Sequence, residues 1–115
     1  MKSLGAQALL VISSAVTYGA TKKIAELAFA YHLPSCSPFR EEVIAGGLVS
    51  LGPDMEVMAE QGADLVNKII KGAKPSELPV EQPTRYEMFV NVRTAKAFDL
   101  ILPETFLGRV DRLIE

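Results

Sequence analysis

Three short polar segments follow three short apolar runs, and they hold the side chains best suited to ligand chemistry. The segments are residues 13–14, 37–40 and 51–53, and the candidate ligand contacts in them are Ser13, Ser14, Phe39 and Arg40. Hydroxyls, an aromatic ring and a guanidinium can together bind a small molecule that carries a carboxylate. If the apolar runs are parallel strands, these residues lie at the sheet edge where ligands bind in open α/β folds. Ordinary loop residues are the alternative that spacing alone leaves open.

Motifs for catalysis or metal binding are missing from the sequence. It contains one histidine and one cysteine, and it has no G-x-G-x-x-G, Walker loop, C-x-x-C or G-x-S-x-G. Glu41 and Glu42 are adjacent, so on a helix they would diverge by about 100° and could not act as a pair. We therefore predict no enzymatic activity, no metal and no cofactor. Cys36 cannot form an internal disulfide, and we interpret it as a buried, unreactive thiol.

Composition indicates one folded domain of ordinary character. The chain has 115 residues, of which 49% are hydrophobic and 23% charged. A net charge of −2 without any Lys/Arg cluster argues against nucleic acid as a partner. No apolar stretch reaches the roughly 18 residues of a membrane span. The opening run ALLVI, residues 8–12, is too short for a convincing signal peptide, so we interpret it as a buried parallel strand.

Hydrophobic periodicity predicts alternating strands and helices. Strands are expected at residues 8–12, 34–37, 48–51 and 86–91, and helices at 21–31, 40–45, 54–71 and from Pro103 onward. Thr17 or Thr21 is a candidate N-cap for the first helix, and Asp54 for the longest one. The last helix would bury Phe106, Leu107, Val110, Leu113 and Ile114. This order predicts an α/β fold, a three-layer Rossmann-like arrangement with a mostly parallel sheet.

Several segments together resemble a known family. They are FRE (39–41), AGGL (45–48), SLGPD (50–54), KIIKGAKP (68–75), LPVEQPT (78–84) and VNVRTAKA (90–97). In this order they resemble the C-terminal third of ABC-transporter substrate-binding proteins with the type I periplasmic-binding-protein fold, in the branch similar to amino-acid binders. The resemblance covers nearly the whole chain. It implies that residues 1–115 are one domain, a fragment of a two-lobed solute-binding protein.

The resemblance also implies how the fragment is organised. Residues 1–51 would belong to the second lobe, the helix within 54–72 would pack on an absent first lobe, and residues 84–115 would return to the second lobe. Gly52 and Pro53 would form a hinge. The apolar stripe that includes Met55, Met58 and Ile69 would then lack a partner, which favours a homodimer or a domain-swapped assembly.

A function follows as an expectation from the same resemblance. A small solute, with an amino acid as the candidate, would bind between two lobes for delivery to an ABC permease, at a periplasmic or cell-surface location. A ligand-sensing domain of a regulator with this fold, or a non-binding remnant, are the alternatives. Two positions depart from the family pattern: Ser14 replaces a common acidic residue, and Leu51 replaces an aromatic before the hinge glycine. Arg40 fits the pattern but also suits a structural ion pair.

Overall fold

The chain forms two compact units. A computed structural model describes residues 5–115, so the first four residues of the opening segment lie outside the described part. Unit 1 contains residues 5–52 and 87–115, and unit 2 contains Pro53–Tyr86. The chain therefore passes from one unit to the other twice, after Gly52 and after Tyr86. The assignment of these units to lobes of a longer protein stays a prediction.

Strands and helices alternate along the chain. The strands are β1 (Leu9–Leu10), β2 (Ser35–Ser37), β3 (Val49–Pro53), β4 (Tyr86–Asn91) and β5 (Arg112–Ile114). The helices are α1 (Ala15–Gly19), α2 (Thr21–Ala30), α3 (Arg40–Ile44), α4 (Met55–Ile70), α5 (Val92–Ala97) and α6 (Glu104–Leu107), with a 3₁₀ turn at Pro75–Glu77. The predicted bounds of β2, α3, α4 and β4 agree with these to within two residues.

The five strands form one mostly parallel sheet in the order β1-β2-β3-β4-β5. The pairs β1/β2, β2/β3 and β4/β5 are parallel. The β3/β4 pair runs in opposite directions, because Asn91 N–H donates to Leu48 O while Asp54 N–H donates to Arg85 O. The predicted α/β class with a mostly parallel sheet is confirmed.

The hydrophobic core lies in unit 1. Its buried apolar residues are Val11, Ala25, Ala28, Leu33, Val43, Leu48, Phe89, Val90 and Ala95. Unit 2, which the structure describes completely, buries no hydrophobic side chain. Its helix α4 begins after the predicted N-cap, where Asp54 Oδ1 accepts hydrogen bonds from the N–H groups of Glu56 and Val57. Exposed apolar side chains of α4 include Met55, Val66, Ile69 and Ile70.

The opening segment differs from its prediction in two ways. The first strand is only Leu9–Leu10, at the edge of the sheet, and Leu10 and Ile12 are largely exposed whereas Val11, on the opposite face, is buried. Residues 15–19 form helix α1, between the strand predicted at 8–12 and the helix predicted at 21–31. Both candidate N-caps of the helix predicted at 21–31 are wrong, because Ala20 is the N-cap of α2, and Ser14 is the N-cap of the additional helix α1.

The C-terminal segment differs more strongly. The predicted last helix is wrong: α6 ends at Leu107, and β5 follows it as a fifth strand parallel to β4. Gly108 caps the short helix, and the carboxylate of Asp111 accepts a hydrogen bond from Met88 N–H at 2.8 Å. β3 also continues through Gly52 and Pro53, two residues beyond the predicted strand at 48–51.

Candidate functional site

The carboxyl ends of β1, β2 and β3 bring the predicted site residues to one edge of the sheet. The three strands are parallel neighbours, so the segments that follow them emerge together. The Tyr18 ring of α1 meets the Phe39 ring edge-on, with centroids 5.1 Å apart. The backbone of Gly52 lies against the carbonyl oxygen of Pro38. These contacts join the segments after β1, β2 and β3 within unit 1, as the sequence predicted.

Ser14 has a structural role at this edge. Thr17 N–H donates to Ser14 Oγ at 3.1 Å, and Ser14 N–H donates to Thr17 Oγ1 at 2.9 Å. This reciprocal capping box begins α1 and fixes the direction of the segment that carries Tyr18. Ser13 and Ser14 are both exposed. The hydroxyl of Ser14 therefore caps α1 and is also accessible to solvent.

Phe39 and Arg40 stand at the beginning of α3. Phe39 is the N-cap residue, and its N–H donates to Ser37 Oγ at 3.1 Å. Arg40 Nε lies 3.7 Å from Glu41 Oε1, and Arg40 Nη1 lies 3.6 Å from Glu87 Oε2. The side chains of Arg40 and Glu87 are 35% and 17% exposed. The guanidinium of Arg40, which the sequence predicted to bind a ligand, therefore lies near the carboxylates of both Glu41 and Glu87.

Glu87, the partner of Arg40, was not among the residues that the sequence predicted at this edge. It lies on β4, and the two hydrogen bonds that define the β3/β4 register place it opposite Gly52. It thereby joins the edge formed by the first three strands. Alternation along β4 predicted only that Glu87 shares a face with Phe89, and no local pattern links it to Arg40.

The two hinge candidates occupy the last two positions of β3. A Cβ atom at residue 52 would overlap the carbonyl oxygen of Pro38, so this position requires glycine. Pro53 is half-buried and lacks an N–H, so it cannot donate to a neighbouring strand. Whether the pair acts as a hinge stays a prediction.

Glu42 is a buried carboxylate behind this edge. It is 1% exposed, and among the described residues neither of its oxygens has a hydrogen-bond partner. A Cβ at Gly47 would lie 2.8 Å from Glu42 Oε1, so Gly47 leaves room for the carboxylate. Burial, and then the charge of Glu42, raise the pKa of the half-buried Cys36 thiol. The sequence predicted a buried thiol, and the structure leaves it half-buried; the raised pKa disfavours the reactive thiolate.

A separate cavity of about 530 Å³ lies within unit 1. Residues at the ends of β4 and β5 line it, among them Asn91, Arg93 and Ile114. None of the predicted site residues lines it.

In the described part of the chain, no group of three or more His, Cys, Asp or Glu side chains is arranged to hold a metal ion. No helix among residues 5–115 is long and apolar enough to cross a membrane.

The chain belongs to the family of ABC transporter substrate-binding proteins, whose model matches residues 1–114. This is a family of solute-binding proteins, and the match confirms the resemblance noted in the sequence. No curated protein sequence matches the chain at a significant level.

Solved structures share the fold. A conserved domain protein from Vibrio cholerae matches with a TM-score of 0.86 and 22% identity over 93% of this chain and 36% of its own. An ABC domain in complex with L-Trp from Streptococcus pneumoniae matches with a TM-score of 0.85 and 20% identity. The match covers 94% of this chain and 38% of that protein. A third match is the ligand-free, open structure of a substrate-binding protein with adhesive properties from Clostridium difficile. It has a TM-score of 0.66 and 19% identity, and it covers 93% of this chain and 36% of that protein. The chain thus spans little more than a third of these proteins.

Proposed function

We propose that the chain supplies one wall of a solute-binding cleft in an ABC import system, with an amino acid as the candidate solute. The observation that carries this proposal is the convergence of Ser13, Ser14, Phe39 and Arg40 at the carboxyl edge of three parallel strands. Such edges are where open α/β sheets bind ligands. The bound L-Trp in the Streptococcus pneumoniae structure supports an amino acid as the solute class.

The rest of the cleft would come from a first lobe. Unit 2 buries no hydrophobic side chain, and five large apolar residues of α4 are exposed (Met55, Met58, Val66, Ile69 and Ile70). Such a surface suits a helix that packs against another folded unit. We place the hinge at Gly52 and Pro53, where the chain first leaves unit 1. An ABC permease would receive the solute, at a periplasmic or cell-surface location.

One wall without its opposite should bind weakly, because contacts from the other side and exclusion of water would be missing. The test is an NMR titration of the ¹⁵N-labelled chain with a panel of amino acids that includes tryptophan. We expect millimolar affinity, with shifts centred on the amides of Ser13, Ser14, Phe39 and Arg40. Arg40→Ala should weaken binding, whereas Arg93→Ala, a control in the separate cavity, should leave it unchanged.

Two results would contradict the proposal. Shifts that cluster around Arg93 in place of Arg40 would put the solute site elsewhere. An absence of any shift at millimolar solute would favour the non-binding remnant, one of the alternatives. The sensing-domain alternative predicts the same shifts, and it would be distinguished by a DNA-binding segment in the gene that encodes the longer protein.

A further inference from the structure

We propose that the cavity at the carboxyl ends of β4 and β5 is a second binding site, which takes a small aromatic carboxylate of the benzoate class. None of its lining residues belongs to the proposed solute site. The second site therefore stands or falls independently of the proposed function.

The cavity lies at the opposite edge of the sheet from the proposed solute site. β4 runs against β3, so its last residue, Asn91, lies beside Leu48, just before β3 begins. β5 is parallel to β4 and ends at the same edge. This mixed sheet therefore has two carboxyl edges, one formed by β1, β2 and β3 and the other by β4 and β5. Open α/β sheets bind ligands at such edges, and about 530 Å³ is within the range of small-molecule sites.

Buried hydrogen bonds hold the polar part of the cavity in place. Asn91 Nδ2 donates to the carbonyl oxygen of Val43 at 3.1 Å, and Asn91 Oδ1 accepts from Thr94 N–H at 2.9 Å. Thr94 Oγ1 donates to Gly46 O at 2.9 Å. Both polar side chains are buried, and their bonds join the start of α5 to the turn after α3. The wall that carries Arg93 is therefore formed before a ligand arrives, which lowers the entropic cost of binding.

Arg93 supplies the charged contact of this site. It lines the cavity from α5, it is exposed, and in the portion of the chain that the structure describes it has no ion-pair partner. Two carboxylates also line the cavity. Glu26 lies 3.9 Å from Lys23 Nζ, and Glu115 lies beyond the last paired residue of β5, so it is held less firmly than Arg93. An available guanidinium on a fixed helix can form two parallel hydrogen bonds to the carboxylate of a ligand.

Phe29 and several aliphatic side chains supply the apolar part of the cavity. Phe29 is 44% exposed, and its ring packs on Phe98 with centroids 5.5 Å apart. Ile44, which is 60% exposed, lines the same cavity together with Ala97 and Ile114. An exposed ring and aliphatic groups beside one guanidinium suit a ligand whose flat apolar body carries a single negative charge.

The test is an NMR titration of the ¹⁵N-labelled 115-residue chain with benzoate, benzyl alcohol and benzylammonium at constant ionic strength. The three probes share a ring and differ in charge. The amides of Gly46, Arg93 and Thr94 report on the cavity, whereas those of Phe39 and Arg40 report on the proposed solute site. We expect benzoate to bind with millimolar affinity and to shift the cavity amides more than either other probe. Arg93→Gln should lower the benzoate affinity about two- to fivefold, as for the loss of an exposed ion pair.

Lys96→Gln is the matched control, because Lys96 is an exposed cation of α5 that does not line the cavity. It should leave the benzoate titration unchanged. A benzoate affinity that Arg93→Gln leaves unchanged, or that both substitutions lower equally, would overturn the proposal.

The unmodified chain tests the site even if a variant does not fold. Cavity amides that respond to none of the probes, or that respond to benzylammonium as strongly as to benzoate, would rule out the carboxylate site. Arg40→Ala should leave the benzoate response of the cavity amides unchanged. Failure of the proposed function would show separately, as a lack of amino-acid shifts at Phe39 and Arg40.

Discussion

Gly52 at the end of β3 packs against the backbone carbonyl of Pro38, in the segment that follows β2. A side chain at residue 52 would overlap that oxygen, and backbone atoms cannot rotate away as a flexible side chain can. We predict that Gly52→Ala lowers the free energy of unfolding by about 1–3 kcal/mol, the usual range for overpacking. Urea denaturation followed by circular dichroism would measure it.

Gly62 provides the control for this prediction. It lies in α4, and a Cβ there would meet no atom within 4 Å. Gly62→Ala should therefore raise stability by up to about 1 kcal/mol, through helix propensity alone. If both substitutions proved neutral or stabilising, the close approach of Gly52 to Pro38 would be wrong.

Ser14 should matter to stability even without a solute. Removing its hydroxyl deletes the acceptor for Thr17 N–H and half of the capping box. We predict that Ser14→Ala costs about 1 kcal/mol, whereas Ser13→Ala changes stability by less than about 0.5 kcal/mol. Thermal melts of the two variants would compare them. Equal melting temperatures would mean that the cap contributes nothing and that only a role in binding remains for Ser14.

Asp54 combines two contacts in unit 2. Oδ1 caps α4, and Oδ2 lies 3.6 Å from Arg85 Nε. We predict that Asp54→Ala weakens protection of the first α4 amides against hydrogen exchange, at a cost of about 1–2 kcal/mol. Asp54→Asn keeps a capping oxygen and loses only the charge, so its cost should be about 0.3–1 kcal/mol. Equal losses in both variants would show that the charge, and not the cap, dominates.

The thiol of Cys36 should react slowly with iodoacetamide near pH 8. Burial first, and the charge of Glu42 second, raise its pKa above the ordinary value of 9.0, which lowers the thiolate fraction at a given pH. Glu42→Gln should speed the reaction, yet leave it slower than that of the urea-unfolded chain. Because the folded pKa is the higher one, this thiol contributes stability below pH 9.0 that is lost as pH rises through the folded value. A reaction as fast in the folded chain as in urea would contradict the raised pKa.

Self-association of the isolated chain remains a prediction from its sequence. Val66 and Ile69 are exposed on α4, and covering such side chains is worth about 25 cal/mol per Å² of apolar surface. We expect light scattering to report a dimer, which requires an interface of at least about 1,000 Å². Ile69→Lys should shift the equilibrium toward monomer, whereas Val80→Lys, at a fully exposed control position, should not. A monomer at all concentrations would refute the dimer.

Local signals predicted most of the elements. Helix α4 was predicted from Asp54 and from the apolar residues that recur at helical spacing after it. The N-cap residue and the apolar face both indicate a helix that begins at residue 55. Alternation specified β4 as Tyr86–Asn91. Phe39 contacts Tyr18 in the segment after β1, because the carboxyl ends of neighbouring parallel strands lie at one edge of the sheet.

Long-range contacts caused the failures. Val110, Leu113 and Ile114 have helical spacing, but pairing with β4 and the bond from Met88 N–H to Asp111 make that segment a strand. Glu87 pairs with Arg40 across a large sequence separation, which no local pattern records. Ser14 was missed as a cap because Thr17 stands where a capping box more often has Glu or Gln.

The interrupted sequence of unit 1 has a consequence during synthesis. Residues 5–52 are synthesised well before the residues of β4 and β5. The edge of β3 that pairs with β4 therefore stays unpaired while Pro53–Tyr86 is translated. An unpaired edge is a template for pairing with other chains. The register with β4 is completed only when Asn91 N–H reaches Leu48 O. The nascent chain is therefore most exposed to pairing with other chains in this interval.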